Sequence, residues 1–198
     1  FMQLFVGLLL FGFSIALLVR AALGLAPWDV LHMALTQWLP LTIGQVNVLS
    51  SFVVLLLWIP LREKPGIGTI ANAIVIGLSM DVALGLLPPV ESLPARAALL
   101  ASGIVLNGLA TALYVGSQFG RGPRDGLFTS ISRRSGWSIQ LVRTGMEVVV
   151  VVLGLLLGGT IGVGTVLFAL ALGPLTQLML PWVAVRLPAP VPSGGAPG

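Results

Sequence analysis

Ten polar side chains could do chemistry in a sequence that otherwise avoids polarity: Asp29, His32, Asn47, Ser51, Asp81, Arg124, Asp125, Arg143, Glu147 and Gln177. They supply carboxylates, guanidinium groups, amides, a hydroxyl and one imidazole, a set suited to holding a polar or charged solute. Asn47 and Ser51 are four residues apart, as are Arg143 and Glu147, so each pair shares one face of a helix. Asp29 and Asp125 stand in two similar stretches, GLAPWDVL (24–31) and GRGPRDGL (120–127). In each, Pro suits the first position of a helix, and Asp two residues later lies in the first turn, where the helix dipole favours negative charge.

Structural duties could account for the same residues. Asp29 and Asp125 would cap short helices, Arg143 and Glu147 would form a packing salt bridge, Asp81 would bond a neighbouring helix, and His32 would pack at an interface. The functional reading adds that a charge within a membrane span costs about 2.5–3.5 kcal/mol on insertion scales and marks a solute path by default. On that reading Arg143→Ala stops solute movement. Bond-making chemistry is not expected. The sequence carries no His-Glu-x-x-His zinc motif, no Gly-x-Ser-x-Gly elbow and no Walker lysine. Cysteine is absent and His32 is the single histidine, so neither a metal centre nor a cofactor is expected.

The elements that must position these residues follow from composition. Of 198 residues 57% are hydrophobic and 8% charged, with a mean hydropathy of +1.06. A soluble domain carries about 25% charged residues, so the chain is read as an integral membrane protein. Ten Lys and Arg against six Asp and Glu make it basic. The basic residues fall mainly in short loops, which suits topology rather than nucleic acid. The apolar run Leu4–Val19 is expected to be a transmembrane helix and not a secretion signal, because a counterpart recurs inside the chain.

That recurrence is a repeat. Pro27 and Pro123 are 96 positions apart, and the same offset relates Asp29 to Asp125, Gly24 to Gly120, Gly7 to Gly103, Gly12 to Gly108, and GIGT (66–69) to GVGT (162–165). Residues 1–95 form the first repeat, with spans at about 4–22, 43–61 and 67–87 and a short segment at 27–38. Residues 96–184 form the second, with spans at about 98–118, 139–157 and 163–182 and a short segment at 123–134. A tail at 185–198 is expected to be disordered. The twelve-residue short segments reach only about 18 Å, against a bilayer core of about 30 Å. The expected fold is therefore an all-α polytopic membrane protein: six transmembrane helices as two inverted three-helix repeats, each with a short re-entrant or interfacial helix.

Inversion follows from the odd number of crossings per half, and the basic residues agree. Arg62, Lys64, Arg121, Arg124, Arg133, Arg134 and Arg186 fall on the inner side, and Arg20 and Arg96 on the outer, giving N-in and C-in. Trp38, Trp58, Trp137 and Trp182 fall near span ends, as an aromatic belt would. The register pairs Asn47 with Arg143, Ser51 with Glu147 and Asp81 with Gln177. The expectation is two polar vestibules, an outer one with Asp29, His32, Asn47, Ser51 and Asp81, and an inner one with Arg124, Asp125, Arg143, Glu147 and Gln177.

The segments GPRDGL, RTGMEV, GGTIGVGT and ALGPL resemble those of the YczE/YitT-like bacterial membrane proteins, the YczE branch in particular. The resemblance runs from about Leu4 to Pro181. It implies a small multi-pass protein of the bacterial cytoplasmic membrane and brings no substrate or activity with it. The function expected is a transporter or channel for a small polar or charged solute, lined by polar residues of both repeats; the alternative is a non-transporting accessory or scaffold subunit of a membrane complex. Expected partners are the solute, the lipid bilayer, and a further copy of the chain or another membrane protein. Nucleic acid is not among them.

Overall fold

The structure, a computed structural model, describes residues 1–184. The expected disordered tail, with Arg186, lies outside the described residues. Eight helices occur in the order α1 (Met2–Ala21), α2 (Pro27–Leu35), α3 (Ile43–Leu61), α4 (Ile67–Leu86), α5 (Leu93–Gly116), α6 (Pro123–Ser135), α7 (Ile139–Leu156) and α8 (Val163–Val183). All but α2 and α6 are long and apolar enough to cross a membrane. The starts of α2, α3 and α4 are matched 96 positions later by those of α6, α7 and α8.

Local chemistry sets those starts. Thr42 and Gln45 form a reciprocal capping box before α3, with Gln45 N–H donating to Thr42 Oγ1 and Thr42 N–H donating to Gln45 Oε1. Ser138 Oγ accepts from Leu141 N–H at the corresponding start of α7. Pro27 and Pro123 open the two short helices. Helix α5 begins earlier than the apolar pattern suggests, because Arg96 lies in its first turn and donates to the carbonyls of Ala21 and Ala22 that end α1. Helix α2 stops short of 38. Thr36 Oγ1 turns back to Met33 O, and Trp38 Nε1 donates to Leu157 O at the end of α7 at 2.9 Å.

Helices α1 and α5 cross at the centre, with α4 against α1 and α8 against α5. Gln3 donates to Leu113 O and Val183 O, so the face where α1 begins is also where α5 and α8 end. Ser79 Oγ donates to Leu9 O between α4 and α1, and Asn107 Nδ2 donates to Ser14 Oγ between α5 and α1. Each short helix is led in by a glycine at positive φ, Gly24 (+133°) and Gly120 (+122°). Just before each glycine one carbonyl is anchored: Gly164 N–H donates to Leu23 O, and Gly68 N–H to Phe119 O. Those two bonds join residues that are again 96 apart. At the far end of α6, Arg133 pairs with Glu63 and Arg134 donates to Leu61 O. The Ser130 hydroxyl, and after it Arg133, hold the Glu63 carboxyl below the usual carboxylate range.

The two halves differ in one seam. Helix α3 packs along α4, whereas α7 rests on α2 and α6 and has no corresponding seam with α8. A Cβ on Gly77 of α4 would stand 2.5 Å from Gly44 O and 2.6 Å from Val48 Cγ2, while its register mate Gly173 has no neighbour within 4 Å. Gly77→Ala is therefore expected to destabilise the folded chain by about 1–3 kcal/mol through overpacking, and Gly173→Ala to leave it unchanged. Melting temperatures in detergent compare the two.

Candidate functional site

A cavity of about 280 Å³ lies where the N-terminal turns of α2 and α6 approach each other. Ala26, Pro27, Trp28 and Asp29 come from the first turn, and Gly122, Arg124 and Asp125 from the second. Eight of the ten residues singled out by sequence line this one space: Asp29, Asn47, Ser51, Arg124, Asp125, Arg143, Glu147 and Gln177. Two separate vestibules are not present among the described residues. The reason is that the first turns of α2 and α6 wall the same space, so the residues they position share it.

Arg124 occupies the middle. Its Nη2 donates to Asn47 Oδ1 at 2.7 Å, and its guanidinium carbon stands 4.6 Å from the centre of the Trp28 ring. Trp28 and Arg124 occupy equivalent positions of the two repeats, so here a residue touches its own counterpart. No carboxylate lies within 4.0 Å of Arg124 among the described residues. Arg124 is thus a cavity-wall residue and not one of the loop charges that set topology. Asp125, the next residue, also has no cation within that distance among the described residues. An Asp125 carboxylate oxygen, the Tyr114 hydroxyl and the Asn72 amide crowd the space over Gly122.

His32 stands behind this wall, fully buried. Its Nδ1 lies 3.1 Å from Asp29 Oδ1, and its Nε2 lies 2.8 Å from Ser50 Oγ and 3.4 Å from Arg124 Nη2. Arg143 and Glu147 pair with each other at 2.9 Å, on a half-exposed stretch of α7. Asp81 is placed elsewhere. It accepts from Thr42 Oγ1 at 2.5 Å and Gly44 N–H at 2.9 Å, fastening the start of α3 to α4. Trp58 is also not a belt residue: it is buried, and its Nε1 donates to Pro123 O at 3.0 Å, whereas Trp38, Trp137 and Trp182 are exposed.

Sequence reasoning missed several wall residues, among them Trp28, Asn72, Asn107, Thr111, Tyr114 and Thr176. A search for polar residues matched across the repeat hid the two asparagines, because the counterparts of Asn72 and Asn107 are Phe168 and Phe11. Both phenylalanines line the same cavity. A count of all polar side chains within apolar spans finds Asn72 and Asn107 without the pairing condition.

Residues 1–181 match DUF6198, a family of unknown function. An uncharacterized protein of Haemophilus influenzae is 41% identical over 188 residues, covering 92% of this chain and 86% of the relative. The uncharacterized membrane protein YczE of Bacillus subtilis is 34% identical over 179 residues, covering 89% and 83%. The uncharacterized protein YyaS of the same organism is 31% identical over 182 residues, covering 90% of each chain. No solved structure matches. With six apolar helices, a match along nearly the whole length and these bacterial relatives, the chain is a membrane protein belonging to the DUF6198 family, with YczE among its relatives.

Proposed function

We propose that the protein carries a small polar or charged solute across the bacterial cytoplasmic membrane, exposing one central site to each side in turn. The observation that carries this reading is a cavity in which charged and polar side chains stand among apolar ones, framed by the first turns of both short helices, with a packed seam on one flank and none on the other. Broken helices whose N-termini meet near mid-depth are the usual way in which irregular backbone lines a substrate site in repeat-built transporters.

Three features support inverted repeats with re-entrant short helices. A twofold axis brings a residue close to its own counterpart only on the axis itself, and Trp28 stacks on Arg124. Equivalent hydrogen bonds, Gly68 to Phe119 and Gly164 to Leu23, lie at opposite faces. The ends of the short helices also diverge, Trp38 meeting the end of α7 and Arg134 the end of α3. The face where α1 begins gathers Arg62, Lys64, Arg121, Arg133 and Arg134, and the opposite face holds Arg20 and Arg96. That distribution suits N-in and C-in. No step in this reading makes or breaks a covalent bond.

Helix α3 shut on α4, with α7 parted from α8, is what one stage of an alternating cycle would look like if the halves exchanged arrangements. Purified protein in liposomes tests the proposal with a panel of labelled small solutes. Saturable uptake with counterflow is the expected result. Non-saturating flow without counterflow replaces the carrier by a channel, and no flux together with a co-purifying membrane protein replaces both by an accessory subunit.

A further inference from the structure

We infer that the solute is a small zwitterion, its carboxylate taken by Arg124 and its amino group by Asp125, an inference that rests on the central cavity being the transport site. Neighbouring positions at the start of α6 present one cation and one anion to the same space, each without an oppositely charged side chain within 4.0 Å among the described residues. Both groups face the cavity, Arg124 half-buried and Asp125 exposed to it, so a solute entering there meets one charge of each sign. A single ligand bearing both signs answers both residues at once.

The geometry of each group points the same way. Guanidinium carries five N–H donors in a planar fork. Arg124 directs one edge at Asn47 and lays its face on Trp28, which leaves donors for a carboxylate. The first turns of α2 and α6 add the positive ends of two helix dipoles. A simple anion would have to enter beside Asp29, Asp125 and Glu147, and a simple cation beside Arg124, Arg143 and those same helix ends.

A second, independent set of atoms asks for a ligand with both donors and acceptors. Asn107 is fully buried, its Nδ2 donates to Ser14, and its Oδ1 has no partner. Trp28 Nε1, Thr111 Oγ1 and Thr176 Oγ1 are likewise buried without partners in the same wall. Buried polar atoms are nearly always bonded, and here they comprise an N–H donor, a carbonyl acceptor and two hydroxyls. Phe11, Ile15, Phe168 and Leu172 cover the remaining wall, giving room for a short apolar body. At about 280 Å³ the space is at or below the low end of drug-sized sites, which span about 300–1,000 Å³. The class that fits is a small amino carboxylic acid.

The test is binding to the purified full chain in detergent, read by thermal shift and equilibrium dialysis. The probes are the standard amino acids, β-alanine and 4-aminobutyrate, each set against a monocarboxylate and a monoamine of matched carbon skeleton. At least one zwitterion is expected to bind saturably while its matched acid and amine do not compete at tenfold excess. Arg124→Gln should weaken that binding by about ten- to a hundredfold, the loss of a charge-assisted contact. Asp125→Asn should weaken the zwitterion similarly and raise the affinity for the matched monocarboxylate, a gain that a misfolded chain cannot give. Competition on the wild-type chain decides the matter even if neither variant can be purified. Absence of binding by every zwitterion, or equal binding by the matched acid or amine, overturns the inference. Binding without flux in liposomes leaves the inference standing and removes the transport reading; flux of singly charged solutes alone does the reverse.

Discussion

Gly126→Val is expected to leave little folded protein, and adding Trp58→Gly in the same chain is expected to recover a large part of it. The indole of Trp58 lies directly on Gly126, where any Cβ would overlap the ring, while its Nε1 holds the Pro123 carbonyl at the start of α6. The equivalent contact in the other half has its sizes exchanged. There Gly154 of α7 meets Val30 of α2, and a Cβ on Gly154 would stand 3.0 Å from Val30 Cγ1 and Leu31 N. One half thus places a large residue on the long helix and a small one on the short helix, and the other half does the opposite. Valine at 126 is what position 30 holds, so it fits only if position 58 becomes the glycine found at 154. Overpacking costs about 1–3 kcal/mol and occasionally more, here more because a rigid, buried ring stands where the Cβ would be; removing a buried tryptophan alone costs about 3–5 kcal/mol. Residues in contact couple, so the double variant should melt well above the temperature that the two separate losses add up to. Simple additivity in detergent melts would mean that the indole and Gly126 are not one packing unit.

The same exchange explains what could be read from the sequence. The starts of the two short helices were legible because they depend on local chemistry, the prolines at 27 and 123; the Thr42–Gln45 box and the threonines of the GIGT and GVGT turns, which accept from Gly66 and Gly162, add caps that the structure brings out. The spans were legible because apolar length has no other use. Depth was not. Nothing in PWDV or PRDG states how far into the bundle those turns lie. That depends on chain leads anchored by Leu23 O and Phe119 O to helices distant in sequence, and it is why two separate vestibules were expected where one cavity exists. The repeat register was informative for Asn47, Ser51, Arg143 and Glu147. It obscured Asn72 and Asn107, because their register mates Phe168 and Phe11 line the same cavity and only one member of each pair is polar. Asp81 and Gln177 show the remaining limit. They are equivalent in register, yet Asp81 bonds the start of α3 and Gln177 faces the cavity.

That difference carries the second large effect. In a folded Asp81→Ala chain, a cysteine placed at Gly173 is expected to lose most of its reactivity toward a membrane-impermeant thiol reagent. Asp81 closes α3 onto α4 through the Thr42 hydroxyl and the Gly44 amide. The equivalent groups are Gln177, Ser138 and Gln140, and Gln177 has no such bond while α7 stands away from α8. If the halves exchange arrangements, the Asp81 contacts stabilise only the stage seen here, and their loss favours the stage in which α7 closes on α8. Hydrogen bonds to a charged group contribute about 1.5–3 kcal/mol each, and a change of about 3 kcal/mol in one state shifts a two-state ratio by more than a hundredfold. Gly173 is suited to report it, having open space around it, and the chain has no cysteine of its own to interfere. Gln177→Asp in the otherwise wild-type chain should act in the same direction by offering Ser138 a carboxylate. Undiminished labelling at 173 in both chains, each shown to be folded by its melting profile, would leave the Asp81 contacts as a helix cap and remove them from any transport cycle.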